Sequence, residues 1–171
     1  MKFVVCAAMA SLCLISAPVH AQEILVARMI TEVCLPYATR AQSFEKSIRA
    51  ARALEFRRPN GSEPLEEWSS EIDLISRDGV WRLHIEEGTL EEGDSSVYAA
   101  SCSISSRHAS VRDLTDLGRR AFGDPERWSY AANDPRRWDR RTPRPDERRL
   151  AVEVTEPAEK LPAMTITGYY F

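Results

Sequence analysis

The stretch that decides the fold is Ile72-Asp73-Leu74-Ile75-Ser76-Arg77-Asp78-Gly79-Val80-Trp81-Arg82-Leu83-His84-Ile85-Glu86. Asp-Gly is a turn dipeptide, because glycine takes the positive φ that a tight hairpin needs. Beyond it, Trp81, Leu83 and Ile85 alternate with Arg82, His84 and Glu86. That is the period of a strand with one dry and one wet face. The spacing predicts two antiparallel strands over 72–77 and 80–86. Residues 64–75 read two ways. Leu65, Trp68, Ile72 and Ile75 suit a helix, whereas Trp68, Ser70, Ile72 and Leu74 suit a strand; the hairpin favours a strand for the second half.

Working outward, the run Glu86-Glu87-Gly88-Thr89-Leu90-Glu91-Glu92-Gly93-Asp94 lacks the oxygen spacing of a calcium loop and reads as a solvated hairpin tip. A strand over 97–105 follows, carrying Cys102. Ser110 and Asp113 have capping spacing ahead of Val111, Leu114, Leu117 and Ala121, which predicts a helix over 110–122 closed by Gly123. Two last strands are predicted where Leu150, Val152 and Val154 alternate, and where Met164, Ile166, Gly168 and Tyr170 do. On the N-terminal side, residues 23–57 show apolar steps of three and four from Ile30 to Leu54. Pro36 is expected to break or kink this helix, with a second helix starting near Thr39 or Ser43 and ending at 57–61. The fold class is therefore α+β: a mostly antiparallel sheet of four to five strands, covered by N-terminal helices and one middle helix.

The first 21 residues read as a signal peptide: Lys2, an apolar stretch over 3–15, then Val19 and Ala21 at the exit. The stretch is shorter than the roughly 20 residues of a membrane span. Cys6 follows Val5 and Cys13 follows Leu12, which does not suit lipid attachment. Cleavage after Ala21 would leave a single domain over 22–171 with no membrane span, periplasmic or secreted. It removes Lys2 and no acid, so Lys+Arg falls from 23 to 22 against 26 Asp+Glu, a net charge near −4. That balance does not suit nucleic-acid binding, which needs a basic excess.

Two cysteines then remain, Cys34 and Cys102. In an oxidising compartment a disulfide is the default for such a pair. Two buried thiols or a redox site are the other readings, though no Cys-x-x-Cys is present. Cys34-Leu35-Pro36-Tyr37 in a helical region and Cys102-Ser103-Ile104 in a strand resemble a family of small exported proteobacterial proteins of unknown function. The resemblance covers residues 28–106. It implies a periplasmic setting and a Cys34–Cys102 bridge, and it implies no active site.

The remaining chemistry is sparse. Asp124-Pro125-Glu126-Arg127-Trp128 recurs as Asp134-Pro135-Arg136-Arg137-Trp138, and residues 119–149 hold ten arginines against six acids. Each Asp-Pro suits the start of a helical turn. Residues 124–148 are expected to form a long loop, held by its tryptophans. Functionally, Arg127, Trp128, Arg137 and Trp138 are the candidate binding residues, for an envelope protein or an anionic polymer. His84 and Glu86 share a strand face and His108 lies past the next strand, but no His-x-x-x-His pair supports a metal site. Ser103, Ser105, His108 and Asp113 lack a Gly-x-Ser-x-Gly elbow. The scattered glycines make no phosphate loop, so no cofactor is expected. Asn60-Gly61-Ser62 matches a glycosylation acceptor and is first a turn. These readings favour a non-catalytic binding module. An inhibitor of a secreted hydrolase, or a hydrolase using His84 or His108, are the alternatives.

Overall fold

A computed structural model describes residues 17–60, 62, 69–92, 95–131, 133–141, 149–156 and 161–170. Of the signal segment, only residues 17–21 fall within it; they begin α1 (Ala17–Arg28), so the expected cleavage point lies inside that helix. A π-helical segment (Met29–Cys34) and α2 (Leu35–Ala38) continue it. Of the break or kink expected at Pro36, no break occurs, and the helix is instead irregular there. The hydrogen bonding widens to π just before it, with the Leu35 N–H reaching the Ile30 carbonyl. The Glu32 carbonyl, which a residue at 36 with an N–H would have bonded, accepts from the Gln42 side chain at 3.3 Å.

Helix α3 (Phe44–Ala53) starts at the Ser43 cap, whose hydroxyl accepts from the Lys46 N–H. It stops earlier than the expected 57–61. Glu55 takes a left-handed φ of 63°, and the Phe56 N–H returns to the Ala51 carbonyl. That closure turns the Phe56 ring into the core, and the next residue bridges to the sheet at Ile75.

The sheet contains β1 (Glu71–Ile75), β2 (Trp81–Glu92), β3 (Ser95–Ser106), β4 (Trp128–Ala131), β5 (Asp134–Arg140), β6 (Arg149–Thr155) and β7 (Ala163–Tyr170). Their order is β1-β2-β3-β7-β6-β5-β4, and every pair is antiparallel. The Asp-Gly hairpin forms as read, with Gly79 at φ 74°. Three expectations change. The sheet has seven strands, against the expected four to five. The acidic run expected as a hairpin tip is strand as far as Glu92. The expected long loop of 124–148 contains β4 and β5; residues 142–148 lie outside the described ones, as do 63–68 with Trp68.

Chain order explains the architecture. The β1–β3 meander comes first, and α4 (Val111–Phe122) carries the chain across the sheet. The β4–β7 meander then returns, so that β7 closes against β3. Helix α4 has the predicted capping box: the Ser110 hydroxyl accepts from the Asp113 N–H at 3.2 Å, and the Asp113 carboxylate accepts from the Ser110 N–H at 2.9 Å.

One sheet face is covered by α1–α2 and α4. Leu83, Ile85, Cys102, Ile104, Leu150, Val152, Met164 and Ile166 meet Val26, Met29, Ile30, Val33, Leu114 and Phe122 there. The Cys34 and Cys102 sulfurs stand 2.03 Å apart, tying the first helix to the central strand. Gly168 makes close approach possible. A Cβ there would fall 1.9 Å from the Ala38 carbonyl oxygen. Among the described residues, no helix is long and apolar enough to cross a membrane.

Candidate functional site

The α1–α2 run and α4 both line a groove between them. Near its middle Arg120 of α4 reaches Glu23 of α1 at 3.5 Å. Beyond that contact the groove widens into a cavity of about 600 Å³. Its walls are Leu35 and Pro36 on one side and Ala121 and Phe122 on the other, and Trp128 and Leu150 lie below. Arg127, Arg140, Asp124 and Glu126 stand among its polar lining. An apolar concavity with a few charges on its lining is the usual form of a ligand site.

The four sequence candidates divide. Trp138 is 0% exposed and lies beneath α4, where Gly118 makes room for it: a Cβ on Gly118 would come within 2.6 Å of the indole. Trp128 is 9% exposed and meets Phe122 edge-on at 4.9 Å. The indoles are thus core anchors. Arg127 is the outward one, with an 80% exposed side chain and Asp124, at 3.6 Å, beside it. Arg137 points to the opposite sheet face. There Asp139 holds it at 3.2 Å and raises its pKa, Glu153 adding to the effect. Hence Arg127 and Trp128 share the groove, whereas Arg137 and Trp138 do not.

Among the described residues, no helix covers the other sheet face. Cross-strand register places Asp73, His84, Ser103 and Thr165 in one row, and Glu71, Glu86, Ser101 and Thr167 in the next. His84 Nδ1 lies 3.1 Å from Asp73 and Nε2 lies 3.3 Å from Glu86. Ser103 Oγ is engaged with Thr165 at 2.8 Å. Asp73, His84 and Ser103 therefore stand in the order of a catalytic triad without its contacts, since the second ring nitrogen meets a carboxylate and the hydroxyl meets a threonine. His108, the other candidate histidine, lines the far end of the helical groove with Trp81, Asp113 and Asp116.

Neither a protein-family model, nor a curated protein, nor a solved structure matches this chain. The resemblance over residues 28–106 accordingly rests on its two short motifs alone.

A third cluster lies where the end of α2 meets the sheet. Arg40, at a left-handed φ of 53°, sets its guanidinium 5.2 Å from the Tyr98 ring and 4.9 Å from the Tyr170 ring. The Tyr170 hydroxyl donates to the Ala38 carbonyl. Tyr37 donates to Glu87 at 3.3 Å, and burial, reinforced by that carboxylate, pushes its pKa upward. Tyr37 therefore stays a neutral donor, and the cluster locks the end of α2 to the sheet. Sequence reading missed it because Arg40, Tyr98 and Tyr170 are far apart in the chain and share no motif.

Proposed function

We propose that this chain is a non-catalytic binding module of the periplasm or the extracellular space, and that it takes its partner in the groove between α2 and α4. The partner class is an envelope protein presenting an apolar segment with an adjacent acidic group. The observation that carries this reading is the groove itself: about 600 Å³, walled by Leu35, Pro36 and Phe122, with Arg127 on its lining and largely exposed. Arg127 gives up little by exchanging its 3.6 Å contact with Asp124 for a partner carboxylate, because exposed pairs of this kind contribute at most about 1 kcal/mol. A bridge between Cys34 and Cys102 fits an oxidising compartment. Among the described residues, the lining of the cavity holds neither histidine nor cysteine, and His108 stands at the far end of the groove.

The test places a photo-crosslinking residue at Thr31 or Glu126 in the groove, and at Arg77 on a distant turn, in the native host. A single envelope protein captured from the groove positions and not from Arg77 is the expected result. The variant Thr31→Trp, which fills the groove, and Arg127→Glu, which reverses its charge, should both abolish capture while keeping the fold. Equal capture from Arg77, or capture that survives both variants, would reject the groove as the binding site.

A further inference from the structure

The sheet face opposite the helices carries a second arrangement, distinct from the groove. Glu71 and Glu86 are directly opposed across β1 and β2, and Asp73 and His84 are opposed one pair further on. Like charges directly opposite each other destabilise a sheet. Among the described residues no lysine or arginine pairs with Glu71, Asp73 or Glu86, although Arg82 lies on the same face two residues before His84. Three carboxylates thus surround one imidazole.

The ring sharpens the imbalance. Asp73 lies 3.1 Å from Nδ1 and Glu86 lies 3.3 Å from Nε2. A neutral imidazole has one N–H, so whichever nitrogen bears it, the other sets its lone pair against a carboxylate. Either a second ring proton or a metal ion between the two acceptors removes the conflict, and the carboxylate of Glu71 nearby adds a third donor that the ion can use. With Nδ1–H donated to Asp73, Nε2 is presented toward Glu86, and the carboxylate–histidine pair that orients metal-bound imidazoles is in place. One ligand atom from each of Glu71, His84 and Glu86 lies within 4.8 Å of the other two. Two donors on one tetrahedral zinc ion stand about 3.3 Å apart, from bond lengths of about 2.0–2.2 Å. The Nε2–Glu86 separation already has that value.

We infer that Glu71, His84 and Glu86 bind a divalent transition-metal ion of the zinc type, with Asp73 as the residue that positions the His84 ring. One nitrogen and two carboxylate donors suit such an ion better than magnesium or calcium, which take oxygen. Three protein ligands on an open face leave further coordination positions to solvent.

The experiment uses the purified full chain carrying a tag without histidine, stripped with EDTA and titrated with Zn²⁺ by calorimetry. One site of micromolar affinity is expected. His84→Ala, Glu71→Gln and Glu86→Gln should each weaken it by at least about tenfold. Asp73→Asn should weaken it about tenfold through the ring orientation. His108→Ala should leave it unchanged. In the wild-type protein, Zn²⁺ should shift the ring nitrogen resonances of His84 and not those of His108, a readout that needs no variant to fold. Absence of binding, binding that survives His84→Ala, or displacement of Zn²⁺ by equimolar Mg²⁺ would overturn the assignment. None of these outcomes touches the groove, which lies on the other side of the sheet.

Discussion

Reducing the Cys34–Cys102 bridge should cost this protein a large part of its stability, and its magnitude follows from the topology. The cysteines are 68 residues apart, and the segment they enclose includes α3, β1, β2 and most of β3. Closing a loop of that length removes about 4 kcal/mol of chain entropy from the unfolded state. Domains of this size are typically stable by about 5–15 kcal/mol in total. Near the melting point, each kcal/mol moves Tm by about 2–4 °C, so reduction should lower it by about 8–16 °C. Both sulfurs are fully buried, in the seam between the π-helical segment and β3. The reduced protein keeps the same atoms in the same space, which isolates the crosslink better than a substitution does. The assay is thermal unfolding by circular dichroism with and without dithiothreitol, the thiol state being checked by alkylation and mass. Melting points within about 3 °C of each other would refute the reasoning and return the pair to the reading of two buried thiols.

Other outcomes follow from single positions. Gly118→Ala drives a methyl into the Trp138 indole and should destabilise by about 1–3 kcal/mol in chemical denaturation; an unchanged midpoint would mean that the indole is not held beneath α4. Ser110→Ala removes the capping box of α4 and should cost about 1 kcal/mol in the same assay. Asp78 is held below the ordinary carboxyl range by the Ser76 hydroxyl at 2.5 Å first and the Val80 N–H at 3.0 Å second. Its folded pKa is depressed, so its stabilisation is present above the ordinary aspartate range and is lost as pH falls through the folded value. Asp78→Asn should therefore flatten the acid side of the stability profile, and superimposable profiles would remove Asp78 from the account. A fluorophosphonate probe should leave Ser103 unlabelled, and labelling lost in Ser103→Ala would restore the hydrolase reading.

Local chemistry was legible where it agreed with the fold around it. Asp78-Gly79 set the first hairpin, Ser110 and Asp113 the start of α4, and the alternation of Met164, Ile166, Gly168 and Tyr170 the dry face of β7. The errors arose where tertiary demands overrode local preference. Pro36 ends most helices, yet π bonding and Gln42 absorb its missing donor. The two Asp-Pro repeats look equivalent in sequence and diverge in structure. Asp124 closes a turn, accepting from the N–H of Glu126 at 3.0 Å with its side chain and from that of Trp128 at 2.9 Å with its carbonyl. Asp134 makes the matching side-chain bond to the Arg136 N–H, but its chain continues as β5 because Trp138 is drawn beneath α4. A stretch dominated by proline and arginine gives no alternating signal, so both strands read as loop. The tryptophans read both as anchors and as binding residues, since an indole beside an arginine looks the same in sequence whether it faces solvent or core; their burial fits the anchor reading.

The candidate sites were less legible because each depends on register. Glu71 and His84 are 13 positions apart in the sequence numbering and belong to different strands; only the pairing of Glu71 with Glu86 and of Asp73 with His84 brings them together. That register follows from the hairpin turn, and a slip of β1 by one residue would send Glu71 and Asp73 to the helix-covered face, away from His84 and Glu86. Ile72 and Leu74 forbid the slip, because it would expose both of these core side chains in exchange. The apolar residues of the hairpin therefore determine where its charges stand. The same logic holds across the sheet: Leu150 and Trp128 form part of the groove because β6 and β4 turn their apolar sides toward the helices. The groove and the carboxylate–imidazole cluster are thus products of a single alternation, one on each side of the same sheet.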